Sequence, residues 1–241
     1  MIVAIDAGNS RIKWGVHDGS AWVDGGALAT ADVGRLAEVA DQWPAHARGV
    51  VCNVAGPTVA ESISRLFAGR HADLVFLHAS AAACGVRSRY ESAQQLGADR
   101  WAALIGARAV LDGACLVVCA GTATTVDRLD VGGIFAGGLI LPGFDLMCTA
   151  LARNTAQLPL ADGVFRALPR NTMDAIVSGC LQAQLGAVER MFQEIADEPA
   201  ARCLLTGGAA PRLAAHLKIP FRLMDNLILD GLRRFAASPG R

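Results

Sequence analysis

Two short stretches decide how this chain reads: Asp6-Ala7-Gly8-Asn9 (6–9), closing the apolar run Met1–Ile5, and Cys119-Ala120-Gly121-Thr122 (119–122), closing the apolar run that begins at Cys115. They align at an offset of 113 residues (119 − 6), close to half of the 241-residue chain. The segments downstream of the two are also alike. Arg11–Val16 and Trp22–Leu28 are strand-like runs after the first, and Thr124–Leu129 and Gly133–Leu141 are strand-like runs after the second. A duplicated α/β unit is the simplest reading. It sets domains at 1–112 and 113–241, with the last helix a candidate to pack back on the first domain.

Further elements fill in around these runs. Helical spacing marks Val33–Trp43, Val59–Phe67 with Thr58 as its cap after Pro57, and Gln94–Leu111 with Trp101, Leu104, Ile105 and Val110 toward the core. Gly49–Val54 and Leu74–Leu77 read as buried strands. In the second half a helix runs from about Gly143 to Asn154. A long amphipathic one runs from Asn171 to about Ile195, with Ile176, Val177, Cys180, Leu181, Leu185, Val188 and Phe192 on one stripe. An apolar surface of that length needs its own domain or a second subunit against it. Strands at Arg202–Leu205 and Phe221–Met224 come next, then a last helix capped by Asp225 or Asn226.

Composition bounds the function. Hydrophobic residues are 53% and charged ones 18%, enough to bury a core and too apolar for long disorder. Lys+Arg and Asp+Glu are both 22, so there is no net field to hold nucleic acid or an anionic membrane, and neither is expected as a partner. Every apolar stretch breaks before the roughly 18 residues of a membrane span. The sequence goes from Met1 straight into a strand-like run, so a cytoplasmic location is expected. The seven cysteines are scattered without a CxxC pair and read as reduced core thiols. The five histidines (17, 46, 71, 78 and 216) have no zinc-ligand spacing. Neither a GxxxxGK[ST] loop nor a GxSxG elbow occurs.

Three glycine turns carry the candidate chemistry: Asp6-Ala7-Gly8-Asn9-Ser10, Cys119-Ala120-Gly121-Thr122-Ala123-Thr124-Thr125 and Leu205-Thr206-Gly207-Gly208. Each comes after a strand. Glycine lets backbone N–H groups approach a ligand closely and hydroxyl side chains add donors, which suits a polyphosphate. Asp6 at a strand end could hold Mg²⁺ through water, since that ion prefers one or two carboxylates plus phosphate oxygens. Gly97-Ala98-Asp99-Arg100 sets a carboxylate beside a guanidinium. The first can take a proton from a hydroxyl while the second holds an anionic group, although the same residues also suit a plain helix N-terminus.

Together, DAGNSRIKWG (6–15), LGADRW (96–101), AGTATTVD (120–127), GGLILPG (137–143) and LLTGG (204–208) resemble the type III pantothenate kinase family, in order and over almost the whole chain. The resemblance implies an actin-like fold of two ribonuclease-H-like domains with a cleft between them, and ATP-dependent phosphorylation of pantothenate to 4′-phosphopantothenate. It implies a first phosphate loop at Asp6, Ala7, Gly8, Asn9, Ser10, Arg11 and Ile12, with Lys13 reaching toward the phosphates. A second is implied at Gly121, Thr122, Thr124 and Thr125, with Thr206, Gly207 and Gly208 against the adenosine. Asp99 would be the general base. Tyr90, Gly97, Ala98, Asp99 and Arg100 would bind pantothenate, joined by Thr172 reaching to the neighbouring subunit's site, so that a homodimer carries composite sites. Many family members begin the second loop with Asp, a carboxylate associated with a monovalent cation. Here Cys119 stands there, and a neutral thiol is a poor ligand for a hard cation. A need for potassium or ammonium is therefore left open. Two other readings stay beside this one: a nucleotide-binding regulatory or accessory protein without turnover, and a kinase of the same superfamily acting on another small hydroxyl or carboxylate.

Overall fold

The computed structural model describes residues 1–70, 72–160 and 162–238; His71, one of the five histidines above, lies outside them. In chain order the elements are β1 (Ile2–Ala7), β2 (Arg11–His17), β3 (Trp22–Ala29), α1 (Leu36–Ala40), β4 (Arg48–Asn53), α2 (Pro57–Gly69), β5 (Leu74–Phe76), β6 (Ala82–Ala83), β7 (Val86–Ser88) and α3 (Ala98–Val110). Then come β8 (Cys115–Ala120), β9 (Ala123–Leu129), β10 (Ile134–Pro142), α4 (Phe144–Asn154), α5 (Thr172–Phe192), β11 (Arg202–Thr206), α6 (Ala210–Ala214), β12 (Phe221–Leu223) and α7 (Leu227–Ala236). Contacts divide the chain into unit 1 (Met1–Asp112, Gly133–Phe135 and Asn226–Arg241) and unit 2 (Gly113–Gly132 and Ala136–Asp225).

Unit 1 is built on the sheet β3-β2-β1-β4-β5. Strand β1 runs antiparallel to β2 and parallel to β4. Its Val3, Ala4 and Ile5 are wholly buried, as a central strand covered on both faces requires. Helix α2 lays Val59, Ile63 and Phe67 into a core shared with Val3, Ile5, Ile12 and Trp14. It starts at Pro57 with Gly56 (φ +97) as N-cap and no side-chain cap bond, so Thr58 is not the cap. Proline's fixed φ and missing N–H suit the first helical position. Helices α3 and α7 cross where Gly106 and Gly231 meet; a Cβ at either would strike the other helix's backbone.

Two other helices differ from expectation. In place of one helix over Val33–Trp43 there is a 3₁₀ stretch, Thr30–Arg35, kinked at Asp32 (φ −98, ψ 24), followed by the short α1. The helix expected from Gln94 begins only at Ala98. Leu96 is extended and Gly97 is the N-cap, while Ala93–Gln95 forms a separate 3₁₀ turn. Trp101, Leu104 and Ile105 are fully buried, but Val110, in the last turn, is 36% exposed.

Unit 2 repeats the sheet as β10-β9-β8-β11-β12, with β8 antiparallel to β9 and parallel to β11. The repeat holds in register. Asp6 stands opposite Lys13 on β2 and beside Cys52 on β4. Cys119 stands opposite Thr125 on β9 and beside Thr206 on β11. The α5 stripe from Ile176 to Phe192 is buried in unit 2's own core with Leu116, Val118, Val126 and Phe144. That helix is ordinary core and by itself calls for no partner subunit.

Candidate active site

The first loop is a tight β1–β2 hairpin. The Gly8 N–H donates to the Arg11 carbonyl at 3.0 Å. The Gly8 carbonyl accepts from the Thr30 hydroxyl at 2.6 Å, tying the turn to the end of β3. Asn9, Ser10 and Arg11 are exposed at its tip, while Ala7 and Ile12 are buried in the core and can offer a ligand only backbone. Asp6 ends β1 just before the turn. Its Oδ1 accepts from the Cys52 thiol at 3.3 Å. Burial pushes the Asp6 carboxyl up to about 6; the Cys52 bond and Lys13 pull it back, and the Asp99 charge pushes further. A carboxylate desolvated in this way is favourable only with a cation near it.

The second group gathers at the start of α3. Asp99, in the first turn, accepts from the Arg100 N–H through Oδ1 at 2.8 Å. A Cβ on Gly97 would lie 2.6 Å from that same oxygen, so glycine leaves room for the carboxylate. Ala98 is half-buried beside it. Arg100 is only 4% exposed and donates to the Tyr90 hydroxyl at 3.0 Å. Its guanidinium carbon lies 5.7 Å from the Tyr90 ring centroid and 5.8 Å from that of Phe135. Unit 1 alone therefore brings together Asp6, Lys13, Asp99, Arg100 and Tyr90.

In unit 2 the β8–β9 turn closes through the Gly121 N–H to the Ala123 carbonyl at 3.0 Å, leaving Gly121 and Thr122 exposed. The adjacent threonines part ways. Thr124 points into the core and donates its hydroxyl to Gln184 Oε1 at 2.7 Å, and Gln184 in turn bonds the Pro142 carbonyl at 2.7 Å. Thr124 thus serves the fold. Thr125 is 7% exposed, and its Oγ1 is buried without a partner. Gly207 (φ +102) packs on the backbone of Ala120, a contact and a conformation that need glycine. Thr206 is buried beside Cys119, and Gly208 is open. Thr172 is exposed one residue past the Asn171 cap, which accepts from the Asp174 N–H at 2.9 Å. It edges a cavity of about 410 Å³ between α4 and α5 lined by Met147, Leu151, Leu158, Ile176 and Cys180.

Three neighbours of these residues escape a reading of the sequence. Cys52 and Gln184 look like core, and Phe135 lies 45 positions from Tyr90. Only the strand alternation of Thr124 and Thr125 carried a signal, because one of any adjacent pair must face inward. None of the seven cysteines forms a disulfide. Among the described residues no cluster of three or more His, Cys, Asp or Glu could hold a metal ion, and no helix is long and apolar enough to cross a membrane.

A sequence profile of type III pantothenate kinases matches residues 2–194. The type III pantothenate kinase of Aromatoleum aromaticum is 58% identical over 232 residues, covering 96% of each chain. A solved structure from Campylobacter jejuni, assigned to the Baf family of transcriptional activators, aligns with TM-score 0.64 at 23% identity, covering 97% of this chain and 96% of that one. Another from Sinorhizobium meliloti, assigned as a 2-dehydro-3-deoxygalactonokinase, aligns with TM-score 0.64 at 17% identity and 98% coverage of both. At such identities the two structures speak for the fold alone, a duplicated ribonuclease-H-like α/β architecture.

Proposed function

The chain belongs to the type III pantothenate kinase family, and we infer that it moves the γ-phosphoryl group of ATP to the terminal hydroxyl of pantothenate, giving 4′-phosphopantothenate and ADP in the first step toward coenzyme A. The observation that supports the chemistry is the gathering of Asp6, Asp99 and Lys13 in unit 1 beside a buried guanidinium tied to Tyr90. Phosphoryl transfer asks a protein chiefly for position and charge neutralisation. Asp99 takes the proton from the attacking hydroxyl. Arg100, Tyr90 and the small residues Gly97 and Ala98 hold pantothenate. Lys13 and the backbone of 6–12 hold phosphate oxygens, joined by Gly121, Thr122 and Thr125, while Thr206, Gly207 and Gly208 lie against the adenosine.

Asp6 fits Mg²⁺, because its carboxylate sits desolvated at a strand end where a hydrated divalent ion offsets the cost of its charge. Bound there, the ion would neutralise phosphate charge. Cys119 does not fit potassium or ammonium: it is a thiol between the hydroxyl residues Thr125 and Thr206, so no step is assigned to a monovalent cation. Seven cysteines without a disulfide suit the reducing cytoplasm. Thr172, exposed at the start of α5, completes the pantothenate site of a second copy in a homodimer. Leu151, Leu160 and Leu168, exposed on unit 2, give that partner apolar surface to cover.

The test is ADP release with and without pantothenate. The wild type releases ADP only with pantothenate. Asp99→Asn keeps its melting temperature and loses about 10²–10⁴-fold in turnover. ATP binding without release would point instead to an accessory protein, and near-normal turnover of Asp99→Asn would remove the base assignment. Mixing Asp99→Asn with Thr172→Arg under subunit exchange restores part of the activity if sites are composite, since one site of each heterodimer then carries neither lesion. No recovery refutes the shared site.

A further inference from the structure

We propose that Phe135 is a positioning residue for the acceptor substrate: its ring is the wall on which the Arg100 guanidinium and the Tyr90 ring are both set. The proposal rests on the reading that Arg100 and Tyr90 hold pantothenate. Phe135 has no solvent exposure, so it acts through those two side chains and does not touch substrate.

The geometry starts with the backbone. Gly133–Phe135 is the shorter of two stretches of the second half of the chain that belong to unit 1 by their contacts. Ile134 and Phe135 pair in parallel with Arg87 and Ser88 of β7. The Arg87 N–H donates to the Gly133 carbonyl at 2.9 Å and the Arg89 N–H donates to the Phe135 carbonyl at 3.1 Å. Gly133 takes φ +78 and lies against the Gly85 backbone so closely that a side chain there would collide with it. These bonds carry β7 to its end. There the Tyr90 N–H donates to the Ser88 hydroxyl at 3.2 Å, and the Tyr90 side chain leaves the strand beside Phe135.

The rings then do the orienting. Tyr90 and Phe135 have centroids 5.1 Å apart, tilted by 44°, within the range where aromatic pairs attract. Arg100 lies 5.7 Å from one centroid and 5.8 Å from the other, so it meets both rings at nearly equal distance. A guanidinium taken out of water is costly unless charge or π-electron density faces it. Two rings and the Tyr90 hydroxyl supply that, and they also fix the plane of its fork. A planar fork held in one orientation loses little freedom when it meets an anionic group. Leucine at 135 would remove one ring and leave Tyr90 without its neighbour. Arg100 would keep its charge and lose its fixed direction.

Steady-state kinetics on the full chain test this with four proteins: wild type, Phe135→Leu, Phe67→Leu and Arg100→Lys. Phe67 is a matched control, 1% exposed in the unit 1 core beside Trp43 and outside the Arg100 group. Phe135→Leu should raise the KM for pantothenate about tenfold, equivalent to about 1.4 kcal/mol, with the KM for ATP within about twofold of wild type. Phe67→Leu should lower the melting temperature about as much as Phe135→Leu does and leave both KM values unchanged. If Phe135→Leu does not fold, Phe135→Met, which fills nearly the same space without a ring, carries the same expectation. Equal rises in both KM values, or an unchanged pantothenate KM, overturn the proposal. Arg100→Lys separates the two levels. If it raises the pantothenate KM while Phe135→Leu does not, only the positioning role falls. If Arg100→Lys changes nothing, the assignment of Arg100 falls and the positioning role falls with it.

Discussion

Gly97→Ala is the smallest change that separates chemistry from stability in this protein. Gly97 caps α3 with φ −56 and ψ 139, a conformation alanine adopts without strain. Replacing glycine at such a position stabilises by about 0.4–1 kcal/mol through the unfolded state. The new methyl group, however, would sit 2.6 Å from Asp99 Oδ1, where ordinary contact begins at 3.4 Å. The carboxylate must withdraw by about 0.8 Å, and in doing so it loosens its 2.8 Å bond from the Arg100 N–H. Misplacing a reacting group by about 1 Å can cost about 10²-fold in rate. Turnover should therefore fall between about tenfold and a hundredfold, while the melting temperature holds or rises and the KM for ATP stays put. Coupled ADP-release kinetics and a thermal melt on the same preparation read both quantities. Turnover within twofold of wild type would show that the Asp99 carboxylate is not held where proton transfer needs it, and the general-base reading would fail.

Lys13→Ala should weaken ATP by about tenfold or more, the scale of a hydrogen bond to a charged group, with pantothenate affinity little changed. Separate calorimetric titrations decide, and equal losses would make Lys13 structural. The His17 imidazole is held below its ordinary 6.5 by burial and by Arg233, with Asp18 and Asp230 opposing, and its Nδ1 accepts from the Gly19 N–H at 3.0 Å. The folded chain thus resists protonation that the unfolded chain accepts, so this contribution is present above about pH 6.5 and is lost as pH falls through the folded value. Melting temperature should drop on acidification in wild type and drop less in His17→Gln; identical slopes would refute the assignment. Cys119→Asp should make turnover respond to potassium or ammonium where the wild type does not. A wild type that already needs either ion contradicts the reading of Cys119.

Much of the scaffold was legible because it rests on strong local signals. The repeat of an apolar run ending in a glycine turn located β1 and β8, and the strands after each matched within a residue or two. The α5 stripe was also readable, since nine of its residues are buried on a regular helical face. What failed depends on tertiary choice. Gln94 and Gln95 are good helix formers, so the extended Leu96 before α3 left no trace in propensity. Strands β6 and β7 have two and three residues, too short for alternation to show. Phe135 could not be placed by Arg100 from sequence, because that approach arises from a two-residue pairing between β7 and β10. Thr124 and Thr125 share chemistry and are both buried, and only the packing around each tells the one bound to Gln184 from the one whose hydroxyl has no partner.

The duplicated scaffold carries a different row of side chains in each unit. Across the three central strands of unit 1 the row is Lys13, Asp6, Cys52, and across those of unit 2 it is Thr125, Cys119, Thr206. The first row carries opposite charges in register and the second carries none. A polyphosphate brings several negative charges, and a carboxylate can face it only with a cation between them. On the proposed reading, one such carboxylate, Asp6, would anchor a divalent ion. A second at position 119 would repeat the repulsion and require a second ion to offset it. Thiol and hydroxyl groups avoid that repulsion while keeping hydrogen-bond donors. On that reading, which of two equivalent strand ends carries the carboxylate would decide where this chain takes an ion.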